Sequence, residues 1–241
     1  MENNEVEVSK HDRDIELTLP KEYSNQLAEL IGILTGDGYM NNYGSFSLLE
    51  IAGDSRLDHE YLTSYVTPMI EHLFNLKSKI YVKRKQNAMY LRLMSKGLNN
   101  YLLYVDFKRG KKEQITVPSW ILNNNEYMKF FIRGLVDTDG SLVLLNRNQK
   151  KYRYYPRIQI ASKSKPLISS VGKWLRNEGL SLSVMVDNTK VIYKGNLVLY
   201  KGYRIQISGR KELIKWMKLI GFRNKRHLDK YQKYKSGSGG I

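Results

Sequence analysis

LIGILTGDG at residues 30–38 and IRGLVDTDG at 132–140 decide how this sequence is read. Each ends an apolar helical run, QLAELIGILTG at 26–36 and YMKFFIRGLVDTD at 127–139, and each closes on Asp-Gly, a dipeptide suited to a helix exit. The two copies lie 102 residues apart. Gly32 and Gly36 stand four apart, as do Gly134 and Thr138, so each helix presents a stripe of small residues. Two such stripes permit close backbone approach, which suits an interface between related halves. If the helices pack in parallel, Asp37 and Asp139 emerge at the same end and two carboxylates share one small site.

The order of elements repeats outward from the motifs. SLLEIAGDS at 47–55 aligns with PRIQIASKS at 156–164, and helical stretches follow at 56–75 and 165–180. The segment 79–95 alternates as a hairpin, as do 182–194 and 197–208, and each hairpin leads into a last helix. The expected fold is α+β, two pseudo-symmetric αββαββα repeats with helices on one face of each antiparallel sheet. The expected divisions are a flexible tail at 1–20, halves at 21–117 and 118–235, and a short tail at 236–241. In the first hairpin Ile80, Val82, Leu91 and Leu93 would face the helices. Lys79, Tyr81, Lys83, Lys85, Tyr90 and Arg92 would line the open face.

Composition narrows the function. Among 241 residues there are 40 basic and 23 acidic side chains, a net charge of +17, which implies a polyanionic partner. No basic amphipathic helix or lipidation signal points to a membrane surface, no apolar run is long enough to span one, and the polar N-terminus is unlike a signal peptide. The expectation is an intracellular protein. Without cysteine there is no disulfide, thiol nucleophile or Cys-based zinc site. The histidines at 11, 59, 72 and 227 have no metal-ligand spacing. Two adjacent carboxylates are best neutralised by a hard cation, Mg²⁺, Mn²⁺ or Ca²⁺, and such a site suits metal-assisted phosphodiester hydrolysis.

The paired motifs resemble the signature of the LAGLIDADG homing endonucleases in their single-chain, two-repeat form, over about residues 21–235. The resemblance implies that Asp37 and Asp139 bind catalytic divalent metals and that Gly36 and Thr138 lend backbone carbonyls. Asp137, matched by Thr35, is then structural. Lys163 is the basic residue expected beside the acids, but Asp54 aligns with it in the first half, and Glu50 aligns with Gln159. Arg56 is a candidate substitute there. A second basic position falls on Lys111 or Lys112, and on Lys225.

DNA contacts are expected from Lys79, Lys83, Lys85 and Arg92 in one sheet. In the other they fall to Arg153, Arg157, Gln159, Lys190, Lys194, Arg204 and Gln206, with Tyr81, Tyr90, Tyr152, Tyr154 and Tyr203 beside them. The implied activity is cleavage of both strands of a long, asymmetric duplex DNA target by a monomer, leaving short 3′ overhangs. Mg²⁺ is the implied cofactor, with Mn²⁺ substituting and Ca²⁺ supporting binding without appreciable cutting. The alternatives are an intron maturase that binds RNA and a cleavage-inactive DNA-binding relative.

Overall fold

Ser24 starts the first motif helix: its hydroxyl accepts from the Leu27 amide at 3.1 Å, capping α2 (Asn25–Asp37). Asn124 does the same for the second, its side-chain oxygen accepting from the amides of Glu126 and Tyr127 ahead of the turns of α7 (Asn125–Asp139). The computed structural model describes residues 6–43, 46–107, 110, 112–146, 153–193 and 196–237. Every residue of α2 from Leu27 to Gly36 is buried, the Glu29 carboxylate included.

Each motif helix feeds directly into a strand. In the first sheet β1 (Gly38–Tyr43), β2 (Phe46–Asp54), β4 (Ala88–Met94) and β3 (Lys79–Lys83) lie side by side, all antiparallel. In the second the order β5 (Gly140–Asn146), β6 (Tyr154–Ser162), β8 (Asn196–Ser208), β7 (Leu182–Tyr193) repeats it. The register repeats too: Gly38 pairs with Ile51, and Gly140 pairs with Ile160. The glycine after each acid therefore meets the residue that the sequence alignment makes equivalent. One face of each sheet is buried: Leu49, Ile51, Met89, Leu91 and Leu93 in the first, and Leu142, Ile158, Ile160, Ile205 and Ile207 in the second.

Helices cover those faces. In the first half α3 (His59–Tyr61) runs through a π turn, Leu62–Val66, into α4 (Thr67–Phe74). The Leu62 carbonyl accepts the Thr67 amide in π register and the Thr67 hydroxyl at 2.9 Å as well. α5 (Lys96–Tyr104) completes this half, and a short α6 (Ser119–Leu122) precedes α7. The second half has α8 (Lys165–Asn177), α9 (Arg210–Leu219) and α10 (Lys225–Gly237). Among the described residues no helix is long and apolar enough to cross a membrane.

Contacts divide the chain into two units whose boundaries differ from the repeat. Unit 1 comprises Met1–Arg109, Pro118–Thr138 and Arg223–Arg226; unit 2 comprises Gly110–Val117, Asp139–Phe222 and His227–Ile241. The second motif helix thus belongs, all but its last residue, with the first. Part of the stretch expected as a tail, 1–20, is structured. α1 (Lys10–Asp14) is a capped helix, and its fully buried Asp12 accepts from the Ser95 hydroxyl at 2.6 Å and the Gly97 amide at 2.9 Å. A carboxylate 83 residues away in sequence thereby neutralises the open N-terminus of α5.

Candidate functional site

The motif helices meet backbone to backbone. A Cβ built on Gly32 would overlap the Phe131 carbonyl oxygen and come within 3.0 Å of the Leu135 amide nitrogen. One on Gly134 would overlap the Glu29 carbonyl and lie 2.9 Å from the Ile33 nitrogen. The contacts are reciprocal at the repeat spacing of 102, so α2 and α7 cross at closest approach where Gly32 and Gly134 lie, within unit 1.

At the end of α7, Asp137 and the residues after it have different surroundings. Asp137 is fully buried, whereas the Asp139 side of the helix faces outward. Burial pushes the Asp137 carboxyl up to about 7, against the opposing hydrogen bonds from Arg223 and Asn224. Its Oδ2 accepts from the Arg223 amide at 2.8 Å, and its backbone carbonyl accepts from the side-chain amide of Asn224 at 2.9 Å. Asn224 also donates to Asp58 at 2.7 Å. Arg226 closes the clasp: it pairs with Asp58 at 3.2 Å and donates to the carbonyls of Asp137 and Thr138.

Arg226 and Asn224 were not among the expected site residues. The basic stretch GFRNKRH pointed to Lys225 instead, and Lys225 forms an exposed pair with Glu60 at 2.8 Å. Adjacent helical positions point about 100° apart, so a choice of one lysine over its neighbour is not legible from composition.

A second polar cluster lies within the helix pair. Glu29 is buried, and Arg133 donates to it through Nε at 2.9 Å and Nη2 at 2.6 Å. The Tyr65 hydroxyl adds a third donor at 2.9 Å. Burial, then the Glu29 charge, push the Tyr65 hydroxyl up to about 12. The pair satisfies one carboxylate with three donors, the condition under which a buried charge is tolerated.

Each motif ends on a carboxylate, Asp37 or Asp139, directly after the residue expected to offer its carbonyl, Gly36 or Thr138. Such a donor set is all oxygen and suits Mg²⁺ or Mn²⁺ better than a thiolate-loving or imidazole-bound ion. Among the described residues no group of three or more histidines, aspartates or glutamates gathers to hold a metal ion. A cation here therefore needs further oxygens from water or from a ligand's phosphates, a pattern common for Mg²⁺. The Thr138 carbonyl already accepts from Arg226, and its second lone pair remains for another partner.

At the aligned positions 54 and 163 the two halves differ: Asp54 chelates Arg56 through Nε at 3.2 Å and Nη2 at 2.9 Å, which holds its carboxyl down to about 2. Its counterpart Lys163 is exposed and lies 3.9 Å from Glu113. Each half thus carries one acid–base pair near this position, with the signs exchanged. Lys112 opens a single 3₁₀ turn, Lys112–Gln114; Lys111 lies outside the described residues.

The open faces carry most of the expected readers. In the first sheet Lys79, Tyr81, Lys83, Tyr90 and Arg92 alternate onto one face, as expected, while Lys85 lies in the exposed turn Arg84–Gln86. Ile80 and Val82 do point to the helix side, yet they are 40% and 46% exposed because β3 is the edge strand and overhangs the helices. Arg92 is bound to Glu50 at 2.5 Å and lies over the Tyr81 ring at 4.5 Å. A groove of about 1160 Å³ is lined by Tyr43, Phe46, Lys79, Tyr81 and Arg92 among others.

The second sheet has Gln159 and Gln206 at the ladder position that Glu50 and Arg92 occupy in the first, and their amides hydrogen-bond at 3.3 Å. Arg157 shares their face, and Arg204 pairs there with Asp187 at 2.9 Å. Arg153 lies over the Tyr154 ring. By register Lys190 and Tyr203 fall on the opposite face, with Ile205. Lys194 and Tyr152 lie outside the described residues.

Residues 126–221 match a family model described as a LAGLIDADG-like domain. The chain is 27% identical over 199 residues to a DNA polymerase of Thermococcus sp. (strain GE8), a match covering 82% of this chain and only 11% of that protein. It is 26% identical over 167 residues to the homing endonuclease I-DmoI of Desulfurococcus mucosus, covering 67% of this chain and 74% of that one. The crystal structure of I-DmoI in complex with DNA and Mn is similar in fold, with a TM-score of 0.51 at 23% identity over 82% of this chain and 96% of that one.

Proposed function

Starting from a chain that belongs with the LAGLIDADG homing endonucleases by its domain at 126–221 and by its fold, we propose that it is a site-specific endonuclease for duplex DNA. The observation that carries this reading is the reciprocal close approach of α2 and α7 at Gly32 and Gly134. It supports assigning equivalent roles to the carboxylates that end the two helices. Asp37 and Asp139 would hold divalent cations, with the Gly36 and Thr138 carbonyls beside them. Bound there, a cation supplies Lewis acidity toward a phosphate and lowers the pKa of water.

The chain's own residues supply binding and orientation. Phosphates and base edges are met by Lys79, Lys83, Lys85, Arg92 and Arg153, and by Arg157, Gln159, Arg204 and Gln206, through charge and hydrogen bonding. The net charge of +17 supports a polyanionic ligand. Lys163 lends a positive charge to the scissile phosphate on its side, and on the other the candidate is Arg56, whose guanidinium is paired with Asp54. Lys112 and Lys225 are assigned as the further basic groups of this chemistry. Because the halves differ, the target is long and asymmetric and is cut on both strands by a monomer to leave short 3′ overhangs.

The test is cleavage of a randomised duplex library with Mg²⁺, Mn²⁺, Ca²⁺ or EDTA. Cutting with Mg²⁺ or Mn²⁺, binding without appreciable cutting in Ca²⁺, and no cutting in EDTA are expected. Cleavage that survives Asp37→Asn combined with Asp139→Asn would overturn the assigned chemistry. Binding to RNA in preference to duplex DNA would favour a maturase instead.

A further inference from the structure

The helices behind the second sheet carry charge of one sign. α8 packs on the Ile205 face, where the Ile205 and Val184 side chains come within 3.6–3.7 Å of a Cβ built on Gly172. α9 is tied beside it: the buried Glu212 accepts from the Ser181 amide at 2.8 Å, and Lys215 donates to the Gly179 carbonyl at 2.7 Å. α8 contains Lys165, Lys173 and Arg176 and no acid, and the only acid of α9, Glu212, is paired with Lys215 at 3.2 Å. Lys165, Lys173, Arg176, Lys211 and Lys218 are exposed, and among the described residues none of the five pairs with a carboxylate. At about 100° per residue the three on α8 fall within an arc of about 80°, and the two on α9 within about 20°.

The repeat does not require this charge. In unit 1 the corresponding α4 has Glu71 and neither lysine nor arginine, and the one cation of α5, Lys96, pairs with Glu7 at 2.5 Å. A solvated surface ordinarily intersperses both signs. Five like charges on two neighbouring helices repel one another, and a polyanion laid on them relieves that repulsion.

The side chains also distinguish among polyanions. A single strand is held by stacking its bases on exposed aromatics, but Trp174 and Trp216, the aromatics of these helices, are both buried. An anionic bilayer takes up the apolar face of an interfacial helix, and here those faces are spent on the sheet. The exposed Leu197 and Leu199 on the same side of β8 are two side chains, far less apolar area than such a helix inserts. A duplex keeps its bases stacked inside and asks only for cations opposite its phosphates. From Lys165 to Arg176 the α8 row spans about 16 Å at 1.5 Å per residue, a length over which a duplex carries about ten phosphate charges.

Resting on the endonuclease reading for the duplex on the open face, we infer that the α8–α9 face is a second, sequence-independent site for the backbone of duplex DNA. One chain then holds two segments, on opposite faces of the second sheet, and neither blocks the other. A chain can therefore pass from one segment to the next without passing through the free state, which shortens the search for a rare target.

The experiment binds the full chain to a short fluorescent duplex, chases it with rising concentrations of an unlabelled duplex of unrelated sequence, and reads stoichiometry by analytical ultracentrifugation. Two duplexes per chain are expected, with release of the label accelerating in proportion to the chasing duplex. The second binding step should weaken with salt with a logarithmic slope of about −4 to −5, from five phosphate contacts. The comparison is a variant with Lys165→Gln, Lys173→Gln, Arg176→Gln, Lys211→Gln and Lys218→Gln, exposed changes to a residue of similar helix propensity. It should bind the first duplex within about threefold of the parent, since exposed charges on the far side are screened. It should take up no second duplex and release the label at a rate independent of the chase.

One duplex per chain at saturation, or accelerated release that the five substitutions leave unchanged, would overturn the inference; cleavage retained in that case would leave the endonuclease reading standing. Flotation with phosphatidylserine vesicles, or capture of structured RNA, that the substitutions abolish while the second duplex step persists would also overturn it. Failure of the full chain to cut any duplex, with the second step intact and lost in the variant, would remove the endonuclease reading and leave duplex binding by α8–α9 in place.

Discussion

Replacing Gly32 by alanine sets two effects against each other, and the geometry decides which prevails. In a helix interior, Gly→Ala contributes about 0.5–1 kcal/mol of stability by reducing the freedom of the unfolded chain. At Gly32 the new methyl would overlap the Phe131 carbonyl oxygen, and at Gly134 the Glu29 carbonyl oxygen. Both neighbours are backbone and cannot swing aside. Relief requires α2 and α7 to separate by about 1 Å or more, loosening contacts along a helix whose residues 27–36 are all buried. Overpacking of this kind costs about 1–3 kcal/mol, and the rigid neighbour places Gly32→Ala at the upper end.

Gly172 in α8 is the control, since its added methyl would meet Ile205 and Val184 side chains at 3.6–3.7 Å, ordinary contact. Urea unfolding followed by circular dichroism should show Gly32→Ala and Gly134→Ala destabilised by about 2–3 kcal/mol and Gly172→Ala stabilised by about 0.5–1 kcal/mol. Stabilisation by Gly32→Ala would refute the close approach.

Arg133→Met should cost about 3–5 kcal/mol by stranding the buried Glu29, whereas Glu29→Leu combined with Arg133→Met should recover most of that, as a double-mutant cycle by urea melts would read. Asp12→Ala should cost about 1–2 kcal/mol through the lost cap on α5, seen as a lower denaturation midpoint. Burial opposes ionisation of Asp12, but hydrogen bonds from Ser95, Ser9 and Gly97 outweigh it and hold its carboxyl below the usual range. Its stabilisation is therefore present above the ordinary aspartate pKa and lost as pH falls through the lower folded value, so an acid titration of Asp12→Ala should be shallower than that of the parent. Lys79→Ala with Lys83→Ala should flatten the dependence of DNA affinity on salt by about two contacts, measured by fluorescence anisotropy across a salt series.

The elements legible in the sequence are those written in local pattern and written twice. The helix ends at Asp37 and Asp139, the hairpins, and the alignment of 47–55 with 156–164 follow from periodicity, and the paired registers of Gly38 with Ile51 and Gly140 with Ile160 agree with them. What escaped depends on contacts between distant residues. Asp12 reads as one acid in a polar tail until Ser95 and Gly97 are brought to it. Arg226 is one cation in a basic run, and only the clasp with Asp58 and Thr138 distinguishes it from Lys225. Arg92 reads as a free base reader, although cross-strand pairing sets Glu50 against it. The division into units likewise differs from the repeat, because α7 buries its small-residue stripe on α2 and not on its own sheet.

The clasp at 223–226 also bears on how the chain can be made. Asn224 is fully buried among groups of unit 1, yet it leaves the ribosome 87 residues after the Asp137 carbonyl that it satisfies. During synthesis α7 can dock on α2 long before that donor exists, so Asp58 and the end of α7 stay open to water until nearly all of unit 2 has been translated. Vectorial synthesis therefore yields first a domain with an unfinished seam at the end of its second motif helix. Closure of that seam couples completion of one unit to emergence of the other, and a nascent chain stalled before residue 223 should expose the seam to proteases that spare the finished protein.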